Sequence, residues 1–211
     1  LTKIWEQIAS RFKDYDEHLL FEGMNEPRIV GGQDEWTGGT EEEREVINNL
    51  FAAFVETVRK SGGNNATRSL IITGHAAAID EKAVKGIKVP DDDHIIVSIH
   101  AYAPYSFALD QNGTSTFSDS DKSELDKNFD FLKSTFIDKG IPVIIGEFGS
   151  LNKDNTSDRV KHMEYYVSAA KARGITCFIW DNGVKDGEGA FALLNRKDGS
   201  WYFKDIVDAA M

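Results

Sequence analysis

The sequence predicts an α/β fold of parallel strands joined by crossover helices, and three observations carry that reading. Short apolar runs rich in Ile, Val and Phe alternate with longer amphipathic stretches. The short runs are continuously apolar, as strands buried on both faces are. Each run also ends in a polar or aromatic group: Glu26, His75, His100 with Tyr102, Glu147, and Trp180. Alternation implies a parallel sheet with right-handed crossovers. Chemistry at successive strand ends favours a (β/α)8 barrel over an open doubly wound sheet. An open nucleotide-binding sheet needs an early Gly-rich turn between strand and helix. The pairs Gly31-Gly32, Gly38-Gly39 and Gly62-Gly63 lack that pattern.

The elements follow in order. Ile4, Trp5, Ile8 and Phe12 have helical spacing, so the chain opens in an amphipathic helix with no initiator Met and no signal-like segment. A first strand is expected over Leu19–Met24. Thr40 and Glu43 form a capping box, Ile47, Leu50, Phe51, Phe54, Val55 and Val58 make one apolar face, and Gly62-Gly63 stops the helix. Strands are expected at Ser69–Gly74 and Ile95–His100, with a weak helix near Asp80–Lys85 between them. Leu125, Phe129, Leu132, Phe136 and Ile137 line a helix that ends before Gly140. A strand at Pro142–Glu147 precedes a helix faced by Val160, Met163, Val167 and Ala170, which Gly174 terminates. A strand at Ile175–Trp180 and a last helix over about Tyr202–Ala210 complete the chain. A barrel needs eight strands and five are read here, so three further βα units are expected on the N-terminal side, with this chain a piece of a longer protein.

Composition narrows the function. The 211 residues suffice for one domain with a full core, and 41% hydrophobic with 28% charged residues describes a globular chain. No apolar run approaches the ~20 residues of a membrane helix. A net charge of −11 argues against nucleic acid and acidic polymers and leaves neutral substrates open. The one cysteine, Cys177, lies in the apolar run ITCFIW and reads as a buried small hydrophobe.

Two carboxylates stand out because each follows an apolar run. Glu26 lies in FEGMNEPR and Glu147 in PVIIGEFGS. Converging at one barrel mouth, such a pair can split a glycosidic bond, one giving its proton to the leaving oxygen while the other attacks the anomeric carbon or activates water. Pro27 keeps Glu26 out of the helical region. Asn25 offers an amide for a sugar hydroxyl, Tyr102 can donate to Glu147, and Trp180 and the loop residue Trp36 offer flat faces for sugar rings. His100 and Tyr102, two apart in an extended segment, face the same way. His75 reads as a structural loop histidine, Trp5 and Trp201 as packing residues with the rim open as an alternative for Trp201, and Asp91-Asp92-Asp93-His94 as a solvated acidic loop. The scattered histidines give no metal-ligand spacing, so neither a metal nor another cofactor is expected.

These motifs resemble glycoside hydrolase family 5, the cellulase family of (β/α)8 retaining glycosidases. The resemblance rests on Asn25-Glu26-Pro27, His100-Ala101-Tyr102, Ile145-Gly146-Glu147-Phe148-Gly149 and Trp180, in the family's order along nearly the whole chain. NEPR (25–28), HAYAPYSFAL (100–109) and IWDNG (179–183) look like subfamily 4, which includes endo-β-1,4-glucanases, lichenases and xyloglucanases. The resemblance implies that the chain carries strands four to eight of a TIM barrel, residues 1–211 being the C-terminal portion of one catalytic domain. It implies Glu26 as acid/base on strand four and Glu147 as nucleophile on strand seven, ~5–5.5 Å apart. It further implies that Asn25 binds the hydroxyl beside the reacting carbon, that His100 and Tyr102 line the site from strand six, and that Trp180 floors the subsite on the non-reducing side. The family's arginine from strand two and histidine from strand three have no counterpart here. The expected activity is a retaining endo-β-1,4-glucanase acting on cellulose, mixed-linkage glucan or xyloglucan. The expected partners are that polysaccharide and the N-terminal barrel segment, and the expected location is extracellular, where bulky substrates are met. The rival readings are a non-catalytic carbohydrate-binding barrel and an open-sheet phosphate-binding enzyme. Sequons at Asn65, Asn112 and Asn155 would permit glycosylation in a secretory route.

Overall fold

The computed structural model describes residues 1–211. They form two compact units, Leu1–Ile99 with Gly140–Pro142, and His100–Lys139 with Val143–Met211.

In the first unit, helix α1 (Thr2–Phe12) leads to strand β1 (Phe21–Glu22), helix α2 (Glu41–Lys60), strand β2 (Leu70–Ile72), a short helix α3 (Glu81–Lys85) and strand β3 (Ile95–His100), whose last residue opens the second unit. The strands are parallel, with Phe21 against Leu70 and Leu70 against Ile95. The capping box of α2 is present: Glu43 N–H donates to Thr40 Oγ1 at 3.1 Å, and Thr40 N–H donates to Glu43 Oε2 at 2.7 Å. Three glutamates in its first turn suit the positive end of the helix dipole. Ile47, Phe51, Phe54, Val55 and Val58 are buried as the spacing predicts. Trp5 packs between Phe21 and Phe54, and its indole N–H donates to the Gly23 carbonyl. Ile4 is exposed and Ala9 takes the buried position, so the inner face of α1 is rotated from the predicted one. Below the strands, Arg68 is buried and donates to the carbonyls of Phe12, Tyr15, Asp16 and Leu19 and to Asn65 Oδ1.

In the second unit, a short helix α4 (Tyr105–Ala108) and α5 (Asp119–Thr135) precede strand β4 (Val143–Phe148), helix α6 (Thr156–Ala172), strand β5 (Thr176–Ile179) and helix α7 (Lys204–Asp208). β4 and β5 are parallel, with Ile145 opposite Cys177. Leu125, Phe129, Leu132 and Phe136 are buried as expected. On α6 the buried set is Arg159, His162, Met163, Tyr166, Ala169 and Ala170. Val160 and Val167 are half-buried. Met163 and Ala170 are buried as the spacing predicts, and the face is corrected at Val160 and Val167, because aromatic and polar groups do the rest of the packing: the Tyr166 ring stacks on Phe148, and its hydroxyl donates to the Ala101 carbonyl. Burial raises the Cys177 thiol to about 12, which fits an inert packing residue.

Burial on both strand faces holds for β2 but not for β1 or β5. Glu22 is exposed in β1, and Phe178 and Ile179 are exposed in β5. Each is the outer strand of the ladder within its unit. The acidic loop is also corrected at one position, since Asp92 takes both its oxygens to the Arg59 guanidinium at 2.7 and 2.9 Å. Of the three sequons, Asn65 and Asn155 are buried with their amides bonded to the carbonyls of Ala9 and Ser115, and Asn112 is exposed.

Candidate active site

In the second unit, β4 delivers Glu147 and the end of β3 delivers His100 and Tyr102. The Ala101 N–H donates to the Glu147 carbonyl at 3.0 Å, which fixes the two segments side by side. Their side chains then meet. The Tyr102 hydroxyl donates to Glu147 Oε2 at 2.7 Å, and His100 Nδ1 lies 3.5 Å from the same oxygen. The Glu147 side chain is only 16% exposed, so this bond is partly shielded from water. Phe191 packs edge-on to Tyr102 at 5.5 Å between centroids and fixes the ring from behind. A carboxylate held by a neutral donor keeps lone pairs free to act as nucleophile or base.

Trp180 follows β5. Its backbone N–H donates to the Phe148 carbonyl at 2.8 Å while its side chain stays exposed. The next residue, Asp181, shapes the loop. Its carboxylate accepts the N–H groups of Gly183, Leu193 and Leu194 at 2.8 to 2.9 Å. Burial opposes its ionisation, yet these amides and Arg196 hold its pKa below the usual carboxylate range. Phe191 and Asp181 escaped the sequence reading. IWDNG displayed Asp181, but its amide partners arrive from 2 to 13 residues away, which no local pattern reveals.

In the first unit, Asn25 and Glu26 follow β1 in a bend. The Pro27 carbonyl accepts the Ala76 N–H at 3.0 Å, which ties this bend to the end of β2. Arg28 donates to the Glu26 carbonyl at 2.9 Å and lies 3.3 Å from Glu26 Oε2. It also donates to Glu35 Oε1 at 2.9 Å and stacks over the Trp36 ring, 4.4 Å from its centroid. Trp36 itself is 62% exposed, as a ring platform requires. His75 is buried, and burial lowers its pKa. Gly39, at φ +65°, fits against it, and a Cβ there would stand 2.3 Å from the imidazole. His75 is thus a packing histidine, as read. Trp201 is 47% exposed, which disfavours the packing role and leaves the rim alternative; its backbone bridges Leu194 and its ring stays at the surface.

A carboxylate, an imidazole and a phenol gathered where parallel strands end place this chain among the α/β domains that keep their chemistry at the carboxyl ends of their strands. The model of the cellulase family, glycosyl hydrolase family 5, matches residues 1–186. The chain belongs to that family, and its five parallel strands are part of a (β/α) barrel. It is similar to Endoglucanase 1 of Ruminococcus albus, 53% identical over 99% of this chain and 51% of that protein. Among solved structures it is similar to a GH5-4 broad specificity endoglucanase from Clostridium acetobutylicum, with a TM-score of 0.97 and 44% identity over 99% of this chain and 64% of that one. It is also similar to a GH5-4 broad specificity endoglucanase from Ruminococcus champanellensis with bound cellotriose, with a TM-score of 0.96 and 47% identity over 100% of this chain and 62% of that one. The chain therefore spans about half the length of that curated relative.

Proposed function

We propose that this chain carries the catalytic carboxylates of a retaining endo-β-1,4-glucanase acting on neutral plant β-glucans: cellulose, mixed-linkage glucan and xyloglucan. The observation that carries the reading is the Tyr102–Glu147 hydrogen bond with His100 beside it, in a chain of the cellulase family. Glu147 is the nucleophile. Its oxygen attacks the anomeric carbon as the bond to the leaving oxygen breaks, and Glu26 gives its proton to that oxygen. In the second half Glu26 takes a proton from water, whose oxygen displaces Glu147 from the glycosyl ester. This scheme requires the two carboxyl groups ~5–5.5 Å apart. Asn25 binds the hydroxyl adjacent to the reacting carbon, His100 and Tyr102 line the site, and Trp180 and Trp36 are ring platforms.

The five strands are strands four to eight of one barrel, and residues 1–211 belong to one catalytic domain. Further βα units pair with the outer strands. This is supported by the exposed Phe178 and Ile179 on β5 and by the apolar hollow of about 260 Å³ beside them, lined by Ile179, Leu193, Leu194, Trp201 and Val207. The enzyme works outside the cell, where such polymers are met.

The test is reducing-sugar release from barley β-glucan and xyloglucan, by this chain alone and together with the barrel units before it, alongside gel retardation by the same polymers. Release by the completed barrel that Glu147→Gln abolishes supports the proposal. Retardation without release would make the protein a carbohydrate-binding barrel. Full activity of this chain alone would sink the requirement for further βα units.

A further inference from the structure

Arg28 joins two features that the sequence presents separately. One face of its guanidinium covers the Trp36 ring at 4.4 Å, and its nitrogens reach Glu26 and Glu35. Glu35 is anchored in turn, because its second oxygen accepts the Gly31 N–H at 2.8 Å. The bond from Arg28, then the one from Gly31, hold the Glu35 carboxyl below its usual pKa. Arg28, Glu26 and Glu35 side chains are all at most 22% exposed, whereas Trp36 stays open to solvent. A planar fork of this kind sets direction as well as charge, which a lysine ammonium cannot do.

We infer that Arg28 is a positioning residue that holds Glu26 and the Trp36 platform in one register. A sugar stacked on Trp36 then presents its glycosidic oxygen to Glu26. That places Trp36 on the leaving-group side, because the acid touches the oxygen that departs. This inference rests on the glucanase reading above.

The experiment compares two substrates in the intact enzyme. Barley β-glucan has a sugar leaving group that needs both a platform and an acid. 2,4-Dinitrophenyl β-cellobioside needs neither. Arg28→Ala and Arg28→Lys should each lower kcat on β-glucan about 10–100-fold, within what a general acid contributes. The kcat/KM for the dinitrophenyl substrate should stay within about threefold, since it reports formation of the glycosyl ester, where that leaving group needs no proton. The double variant Arg28→Ala with Trp36→Ala should lose no more than the worse single variant, because the two act as one unit. Equal losses on both substrates would make Arg28 merely structural and overturn the inference. Full recovery with lysine would overturn it too, as would strict additivity with Trp36→Ala. Glu26→Ala separates the two levels of the argument. If it spares kcat/KM for the dinitrophenyl substrate only, the glucanase reading stands whatever Arg28 does. If kcat/KM falls equally for both substrates, the acid/base assignment fails and the Arg28 inference falls with it.

Discussion

The Tyr102 hydroxyl donates to Glu147 Oε2 at 2.7 Å, and the same oxygen lies 3.5 Å from His100 Nδ1. One carboxylate oxygen is thereby engaged and aimed. Tyr102→Phe removes the donor and keeps the ring against Phe191. A hydrogen bond to a charged group contributes about 1.5–3 kcal/mol, so kcat/KM on β-glucan should fall roughly 10–100-fold. The melting temperature should move by only a few degrees, since the ring packing is unchanged. Unaltered kinetics would remove Tyr102 from the site.

Stability should depend on pH through His162, which lies on α6 between Phe107 and Phe117. Its Nε2–H donates to the Ala103 carbonyl at 2.9 Å, and burial takes its pKa from 6.5 down to about 4. Between those values the unfolded chain binds a proton that the folded chain refuses. The contribution is fully present above the unfolded pKa and is lost as the pH falls through the folded one. The loss should reach about 3 kcal/mol at most. His162→Gln retains a donor and removes the titration. Urea unfolding at pH 7 and pH 4.5 should show a smaller difference for the variant than for the parent. Identical differences would exclude His162.

Arg68 should be a structural keystone of the first unit. It is 2% exposed, donates to four backbone carbonyls and Asn65, and lies over the Phe21 ring at 4.8 Å. Arg68→Ala strands those buried acceptors and should cost at least about 3 kcal/mol in thermal or urea unfolding. A loss under about 1 kcal/mol would mean that water replaces the guanidinium without penalty.

What the sequence disclosed depended on periodicity and on motif. The α2 face was legible because its apolar residues repeat at helical spacing and a capping box marks its start. Ser118 and Asp121 form a second capping box on α5 that the same rule could have found. Helix α4, four residues long, is too short to show a period. The α6 face was legible only at Met163 and Ala170, because Arg159, His162 and Tyr166 are buried there through specific partners: Arg159 lies under the Phe203 ring, and His162 and Tyr166 bond to backbone carbonyls. A hydropathy pattern ranks such residues as surface. The exposure of Phe178 on β5 was hidden for the opposite reason, since an apolar run reads alike in a central and an outer strand. Glu147 and its neighbours His100 and Tyr102 were legible as strand-end chemistry. Arg28 was not, because its partners come together only when the loop to Trp36 folds back on itself.

The most direct test of the account is to trap the covalent intermediate. The intact enzyme would be incubated with 2,4-dinitrophenyl 2-deoxy-2-fluoro-β-cellobioside, digested, and the peptides weighed. One glycosyl adduct on the peptide carrying Glu147, absent from Glu147→Gln, is the predicted result. Continued hydrolysis with an inverted product and no adduct, or an adduct on any other carboxylate, would contradict it.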